Sequence, residues 1–273
     1  MTLETGRIKE NRETGSPRCY RMIIEVSKYF RAQPGQFLQI QVESKTTDPL
    51  LRRPFSIAGL ERNRVTIFYQ VKGKGTVLFS RLQAENQLSF LGPLGKPYPI
   101  MPGPKIFLAG GLGAAGLLFL VKNLSVSLKR EKLFVILGCK TKEDLFFLRD
   151  FQDLGIPTSC ATEDGSCGFH GLATSLLSQK IKEQPKKGVL YACGPNSMLK
   201  TAGKIAKKYG WSAYFSMETM MACGTGLCRG CAVRTKNGYR LACVDGPVFP
   251  SEEIIWEKLP PHPSLSPQGR GLK

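Results

Sequence analysis

Four cysteines near the C-terminus carry the clearest chemistry in this chain. They are Cys223, Cys228, Cys231 and Cys243, in the spacing C-x4-C-x2-C-x11-C. Three thiolates on one short loop plus a distant fourth is a ligand spacing of [2Fe–2S] clusters. A small inorganic core requires the loop to wrap closely and aim N–H groups at sulfur. Gly224, Gly226 and Gly230 permit that wrap without Cβ clashes. The fourth thiolate is expected from a separate strand. Structural zinc sites usually show two cysteine knuckles, and only one is present here. Disulfides require an oxidising compartment. Residues 1–11 are polar and lack an apolar signal region. A cytoplasmic protein is the expectation. Cys19, Cys139, Cys160, Cys167 and Cys193 are spread singly, and most read as small buried hydrophobes.

Two glycine-bearing loops offer a second chemistry. Gly110-Gly111-Leu112-Gly113 follows an apolar strand and opens a helix. That context suits a diphosphate held on backbone N–H groups; the plainer reading is a tight strand–helix turn. Cys193-Gly194-Pro195 ends a later strand, where ligands of parallel sheets collect. Earlier, Arg53-Pro54-Phe55-Ser56 brings together charge, an aromatic ring and a hydroxyl. Gly73-Lys74-Gly75-Thr76 adds N–H groups and a second hydroxyl. A flavin dinucleotide needs charge at its pyrophosphate and donors at its ring edge. Taken singly, these segments also read as an edge strand and a turn. In Thr162-Glu163-Asp164-Gly165-Ser166, two carboxylates follow a strand. They would accept from a ribose hydroxyl and repel a 2′-phosphate, which favours NAD over NADP, with Asp164 as the expected contact. Their plainer role is to cap the next helix.

The elements that must position these residues fall into a β-rich part and an alternating part. Strands are predicted over residues 21–26, 36–42 and 64–71, separated by turn signals. They suggest a small antiparallel barrel. After the proline-rich stretch at 99–104, strands at 105–109, 133–137, 158–161 and 188–192 alternate with helices at 114–128, 142–154, 171–184 and 197–209. Such alternation implies a doubly wound parallel sheet. The expected division is 1–101 for the barrel, 102–212 for the α/β domain, 213–256 for the cysteine module and 257–273 for a disordered tail.

The bulk composition narrows the function classes. The 273 residues and 42% hydrophobic content allow a sizeable core. The longest apolar run, 106–121, is too short and too glycine-rich to cross a bilayer. The formal charge of +18 is scattered, with small clusters at Arg52-Arg53, Lys129-Arg130 and Lys186-Lys187. No recognition helix or aromatic–basic interleaving appears, so neither nucleic acid nor membrane is the expected partner.

The ordered set Arg53-Pro54-Phe55-Ser56, Gly73-Lys74-Gly75-Thr76, Gly110-Gly111-Leu112-Gly113, Cys193-Gly194-Pro195 and the cysteine cluster resembles the ferredoxin-NADP reductase superfamily. Within it, Leu51-Arg52-Arg53-Pro54, Thr162-Glu163-Asp164-Gly165-Ser166, Met221-Ala222-Cys223-Gly224 and Arg229-Gly230-Cys231-Ala232-Val233 resemble the electron-transfer subunits of NAD-dependent dihydroorotate dehydrogenases. The resemblance covers about residues 17–256. It implies an α/β plus β architecture: an FAD-binding antiparallel β-barrel, a doubly wound parallel-sheet NAD-binding domain and a C-terminal [2Fe–2S] module. By position, Arg53, Pro54, Phe55, Ser56, Gly73, Lys74, Gly75 and Thr76 would serve FAD. Gly110, Gly111 and Gly113 would face NAD, with Cys193, Gly194 and Pro195 near its reactive end. The implied partner is an FMN-containing dihydroorotate dehydrogenase catalytic subunit, two of each chain per complex, in pyrimidine biosynthesis. Electrons would pass from FMN through the cluster and FAD to NAD⁺, and no residue here would act as a base on the pyrimidine. A ferredoxin–NAD(P) oxidoreductase or sulfide dehydrogenase subunit is the alternative within the superfamily. One departure concerns the Ala-Pro pair that usually follows the glycine loop: Ala115-Gly116 stands there instead, which removes a helix-start proline.

Overall fold

A computed structural model describes residues 2–15, 18–41, 48–128, 132–184 and 186–256. Lys129-Arg130, Val42 and the expected tail at 257–273 lie outside them. The N-terminal part is a seven-stranded antiparallel sheet in the order β4-β3-β7-β1-β2-β6-β5. Its strands are β1 (Thr2–Glu13), β2 (Cys19–Glu25), β3 (Phe37–Ile40), β4 (Arg53–Ser56), β5 (Gly59–Glu61), β6 (Arg64–Gln70) and β7 (Gln87–Leu94). Right-handed twist brings β4 back against β6, so the sheet curls into a half-barrel. Ile8, Met22, Ile24, Leu38, Ile40, Val65, Ile67 and Phe90 fill its interior.

Strand β1 has no counterpart in the sequence reading. Its twelve residues, TLETGRIKENRE, are mostly polar and show no clean alternation. Pairing to β2 and β7 on both sides makes it a strand, and Ile8 alone is its large buried side chain. Charge fastens its outer face. Glu10 takes a two-pronged contact from Arg21, at 2.7 and 2.9 Å. The short helix α1 (Lys74–Ser80) is not among the expected helices; it takes up Gly73-Lys74-Gly75-Thr76, whose plainer sequence reading is a turn. Gly73 is its extended N-cap, and the Thr76 hydroxyl accepts the N–H groups of Lys72 and Gly73 at 2.9 and 3.1 Å.

The second sheet also has seven strands, in the order β11-β10-β9-β8-β12-β13-β16. It is built from β8 (Lys105–Gly110), β9 (Leu133–Cys139), β10 (Thr158–Thr162), β11 (Phe169–His170), β12 (Val189–Cys193), β13 (Ser212–Ser216) and β16 (Val248–Pro250). All its pairs are parallel except β13 with β16. Chain order reverses between β8 and β12, the topological switch point of a doubly wound sheet. Helices α2 (Ala114–Ser127), α4 (Ala173–Lys182) and α5 (Asn196–Lys208) confirm three expected helices. The fourth, expected over 142–154, is broken. A 3-10 turn at Lys142–Asp144 is followed by α3 (Leu148–Asp153), and Phe147 between them sits at φ 70°. That turn directs the Phe147 ring edge-on to Phe68 of the half-barrel, 4.6 Å between centroids.

The hydrophobic clusters cross from one part to the other. Phe119 of α2 packs in the half-barrel core, while Phe68 packs in the α/β core. Phe37 and Leu94 of the half-barrel pack with Cys231, Val233, Cys243 and Phe249. Helix α2 is therefore buried nearly all round, as its apolar sequence AAGLLFLV requires. The expected boundary at 212/213 falls at the start of β13, and β16 returns from the cysteine module to the same sheet. No helix among the described residues is long and apolar enough to cross a membrane.

Candidate functional site

A cavity of about 900 Å³ opens between the two sheets. One wall comes from the half-barrel: Pro54, Phe55 and Ser56 of β4, with Tyr69, Gln70 and Lys72 beyond them. The facing wall is the switch point, with Gly110, Gly111, Gly113, Cys193 and Pro195. Ser216, Met217, Glu218, Thr219 and Met221 close the third side, and Cys223 lies two residues further along the chain.

The glycines of the switch point divide by role. A Cβ on Gly113 would sit 2.6 Å from the Cys193 carbonyl oxygen, and one on Gly110 would sit 2.6 Å from the Pro195 ring. Gly194, at φ 153°, would meet the Gly110 backbone at 2.9 Å. These three let the two loops touch. Gly111 is different: at φ 53°, an added Cβ meets nothing within 4 Å, so its backbone borders open cavity. The 3-10 turn Gly111–Gly113 leads directly into α2, so the start of that helix borders the space. Where the departure Ala115-Gly116 occurs, Gly116 lies beside Ser56 of β4, with 3.7 Å of room for a Cβ. Burial holds the Cys193 thiol protonated, well above its ordinary range.

Other expected residues sit off the cavity wall. Arg52 is tied into the half-barrel through the Ser89 carbonyl at 2.9 Å and hydroxyl at 3.0 Å. Arg53, its neighbour, gives one N–H to the Leu51 carbonyl at 2.6 Å and has no carboxylate partner among the described residues. Lys74 pairs with Asp48. Gly73 is the N-cap of α1 and Gly75 and Thr76 lie in its first turn, while Phe79 of the same helix packs against Phe55 of β4 and Tyr69 of β6. Asp164 does not line the cavity; its carboxylate accepts from the Ser166 hydroxyl at 2.6 Å and N–H at 3.0 Å, which holds it below the ordinary range. Glu163 lines the cavity instead. The residues missed were Tyr69, Lys72 and the 216–219 segment. The last follows the carboxyl end of β13, a strand absent from the sequence reading, so the rule that would have found it had nothing to act on. Thr219 there lines the cavity, and its buried hydroxyl has no hydrogen-bond partner in the protein.

One hairpin brings two of the four cysteines together. Strands β14 (Ala232–Thr235) and β15 (Gly238–Leu241) pair antiparallel, with Cys231 just before and Cys243 just after. The eleven-residue gap thus folds back on itself, and the two sulfurs lie 3.2 Å apart. Cys223 and Cys228 sit on the preceding loop, where Gly224, Gly226 and Arg229 adopt φ of 72°, 87° and 57°. Gly230 does not need that freedom, since a Cβ there would lie an ordinary 3.7 Å from the Cys228 sulfur. The Cys223 sulfur accepts N–H groups from Thr225 at 3.3 Å and Cys228 at 3.5 Å. Burial alone would raise this thiol; those donors outweigh it and bring it down to about 6. Burial and the adjoining Cys231 push Cys243 up to about 12. Among the described residues, no three Cys, His, Asp or Glu converge on a single metal ion. A two-iron cluster asks for a different arrangement, two thiolates on each iron. One adjacent pair and one loop pair supplied with N–H donors fit that demand.

A family model described as the iron–sulfur cluster binding domain of dihydroorotate dehydrogenase B matches residues 218–255. The chain is 37% identical over 256 residues to the dihydroorotate dehydrogenase B (NAD(+)) electron transfer subunit of Caldanaerobacter subterraneus subsp. tengcongensis, spanning 92% of this chain and 98% of that protein. It is 38% identical over 244 residues to the homolog of that subunit in Aquifex aeolicus, spanning 88% and 94%. Among solved structures, the NADH-dependent reduced ferredoxin-NADP oxidoreductase superposes with a TM-score of 0.80 at 27% identity, over 94% of this chain and 91% of that one. A ferredoxin NADP⁺ reductase from Neisseria gonorrhoeae, with bound FAD and NADP, shares the fold at a TM-score of 0.61 and 18% identity, over 77% of this chain and 92% of that one.

Proposed function

Because the chain belongs to the family of dihydroorotate dehydrogenase B (NAD⁺) electron transfer subunits, we propose that it relays electrons from a catalytic partner through an iron–sulfur cluster and FAD to NAD⁺. The observation that carries this reading is the continuity of the site. Residues 216–219 and Met221 line the cavity, and the chain runs straight on into the cysteine loop. Cluster and flavin would therefore be neighbours, with nicotinamide entering from the switch point.

Each group has its residues. The cluster is of the [2Fe–2S] type, with Cys223 and Cys228 on one iron and Cys231 and Cys243 on the other. Pro54, Phe55 and Ser56 hold the flavin ring, and Arg53 reaches its pyrophosphate, with the α1 turn of Gly73, Lys74, Gly75 and Thr76 behind it. Gly111 leaves room for the nicotinamide dinucleotide, Gly110, Gly113 and Gly194 shape its loops, and Cys193 and Pro195 border its reactive end. Glu163, rather than Asp164, meets the ribose. FAD goes with residues 1–101, NAD with 102–212 extended by β13 and β16, and the cluster with the rest of 213–256. When bound, FAD exchanges two electrons with a nicotinamide and single electrons with a cluster.

The chain's own residues do the positioning. Phe55, edge-on to Tyr69 and Phe79 at 5.8 and 5.3 Å, is fixed before any ligand arrives. The neutral Cys193 thiol and Thr219 hydroxyl offer polar contact without net charge beside a nicotinamide. The cysteine loop meets the surface. Cys228, Leu227 and Met220 are exposed there, the latter two at 86% and 78%. The partner, an FMN-bearing catalytic subunit, docks on that face, two of each chain per complex, in the cytoplasm. Co-expression tests this. A complex that co-purifies with flavin and [2Fe–2S] absorption supports it, and a colourless protein that ignores the catalytic subunit refutes it.

A further inference from the structure

Gln39 is the most unusual polar residue outside the ligand set. It lies on β3, opposite Pro54 of β4 and Leu91 of β7. Its neighbours Leu38 and Ile40 point into the half-barrel core. Strand alternation turns Gln39 the other way, toward the cysteine module. There it is fully buried, and neither its amide oxygen nor its amide nitrogen has a hydrogen-bond partner. A primary amide stranded like this gives up its water contacts with nothing in the protein to offset the loss. Sequence chemistry offers no packing reason for it: a leucine or methionine would fill the space without that cost.

The amide abuts the cluster loop. A Cβ on Gly224 would come within 2.5 Å of the Gln39 Cγ and 2.9 Å of its Nε2. Gly224 therefore has to be glycine partly to admit this side chain, besides its φ of 72°. Gly224 directly follows Cys223, whose sulfur already draws two N–H groups. Donors thus gather at one corner of the cluster site, and Gln39 reaches it from the strand next to the flavin-facing β4.

We infer that the Gln39 carboxamide donates a hydrogen bond to sulfur at the Cys223 side of the iron–sulfur cluster and so raises the potential of the cluster beside FAD. The inference rests on the [2Fe–2S] reading of the four cysteines. A donor aimed at cluster sulfur stabilises the more negative, reduced state and favours uptake of an electron from the partner. Its amide is unpartnered without the cluster because the acceptor is the cluster's own sulfur.

The test uses the holo-complex. Protein grown with side-chain ¹⁵N-labelled glutamine is reduced, and electron paramagnetic resonance is read for ¹⁵N hyperfine coupling. In parallel, the midpoint potentials of cluster and FAD are titrated in wild type and Gln39→Met. The expected results are a ¹⁵N coupling in wild type and, in Gln39→Met, a cluster midpoint shifted to more negative potential with FAD unmoved. A full wild-type cluster signal without ¹⁵N coupling overturns the inference, even where Gln39→Met fails to fold. An unshifted midpoint in a fully loaded variant overturns it too. Absence of any [2Fe–2S] signal from wild type instead overturns the cluster reading on which it stands.

Discussion

At the scale of single residues, Arg53 and Arg52 show how two adjacent arginines divide their work. Arg52 is spent on Ser89 and the Gln39 carbonyl of β3, so it builds the half-barrel. Arg53 faces no carboxylate among the described residues and remains available to an anion. A charge-assisted contact to a pyrophosphate contributes about 1.5–3 kcal/mol. Arg53→Ala should lower FAD affinity by about tenfold or more. Flavin content after extensive dialysis reads this out, and full retention would assign the pyrophosphate to another group. Glu163 supports a second prediction. It lines the cavity, whereas Asp164 is occupied by Ser166. Glu163→Gln should narrow the preference for NAD⁺ over NADP⁺ in steady-state kinetics by about tenfold, the worth of one lost repulsion and one weakened acceptor. Asp164→Asn should leave the ratio where it was. The reverse pattern would restore Asp164 as the contact.

At the scale of elements, β1 explains why part of the fold was illegible. Sequence periodicity finds strands that bury one face. β1 buries little but Ile8, and its polar residues are held by cross-strand charge and ladder bonds that only its neighbours supply. Strands β2, β3 and β6 were legible because Met22, Ile24, Leu38, Ile40, Val65 and Ile67 alternate toward the core. α3 was over-extended because its apolar pattern continues through Phe146 and Phe147, and nothing local signals the left-handed turn that aims Phe147 at Phe68. The Glu10–Arg21 contact yields a pH prediction. The hydrogen bond from Arg21 lowers the Glu10 carboxyl below its ordinary range. Its stabilisation is therefore present at neutral pH and disappears as pH falls through the lowered value. Glu10→Gln should cost about 1 kcal/mol at neutral pH by thermal or denaturant unfolding, and nothing once the acid range is reached. Equal stability of the two proteins at neutral pH would show that ladder bonds alone hold β1.

At the scale of the whole molecule, the cysteine module and the switch-point loops stand out in the sequence because each is a local pattern: a spacing, or glycines between a strand and a helix. The cavity itself could not. It exists because Phe119 and Phe68 lock the two sheets together and because β13 and β16 carry the cysteine module back to the parallel sheet. Those are pairings across long sequence distances, and they set the positions of Thr219 and Gln39. The same arrangement orders the relay: the exposed cysteine loop outside, the half-barrel wall within, the switch point beyond. The most direct measurement is NADH formation from dihydroorotate by the complex of this chain with its catalytic partner, wild type against Cys228→Ala. The account predicts that Cys228→Ala keeps FAD and still passes electrons from NADH to an artificial dye, yet forms no NADH from dihydroorotate. Wild-type NADH formation by a Cys228→Ala complex would contradict a path through the cluster.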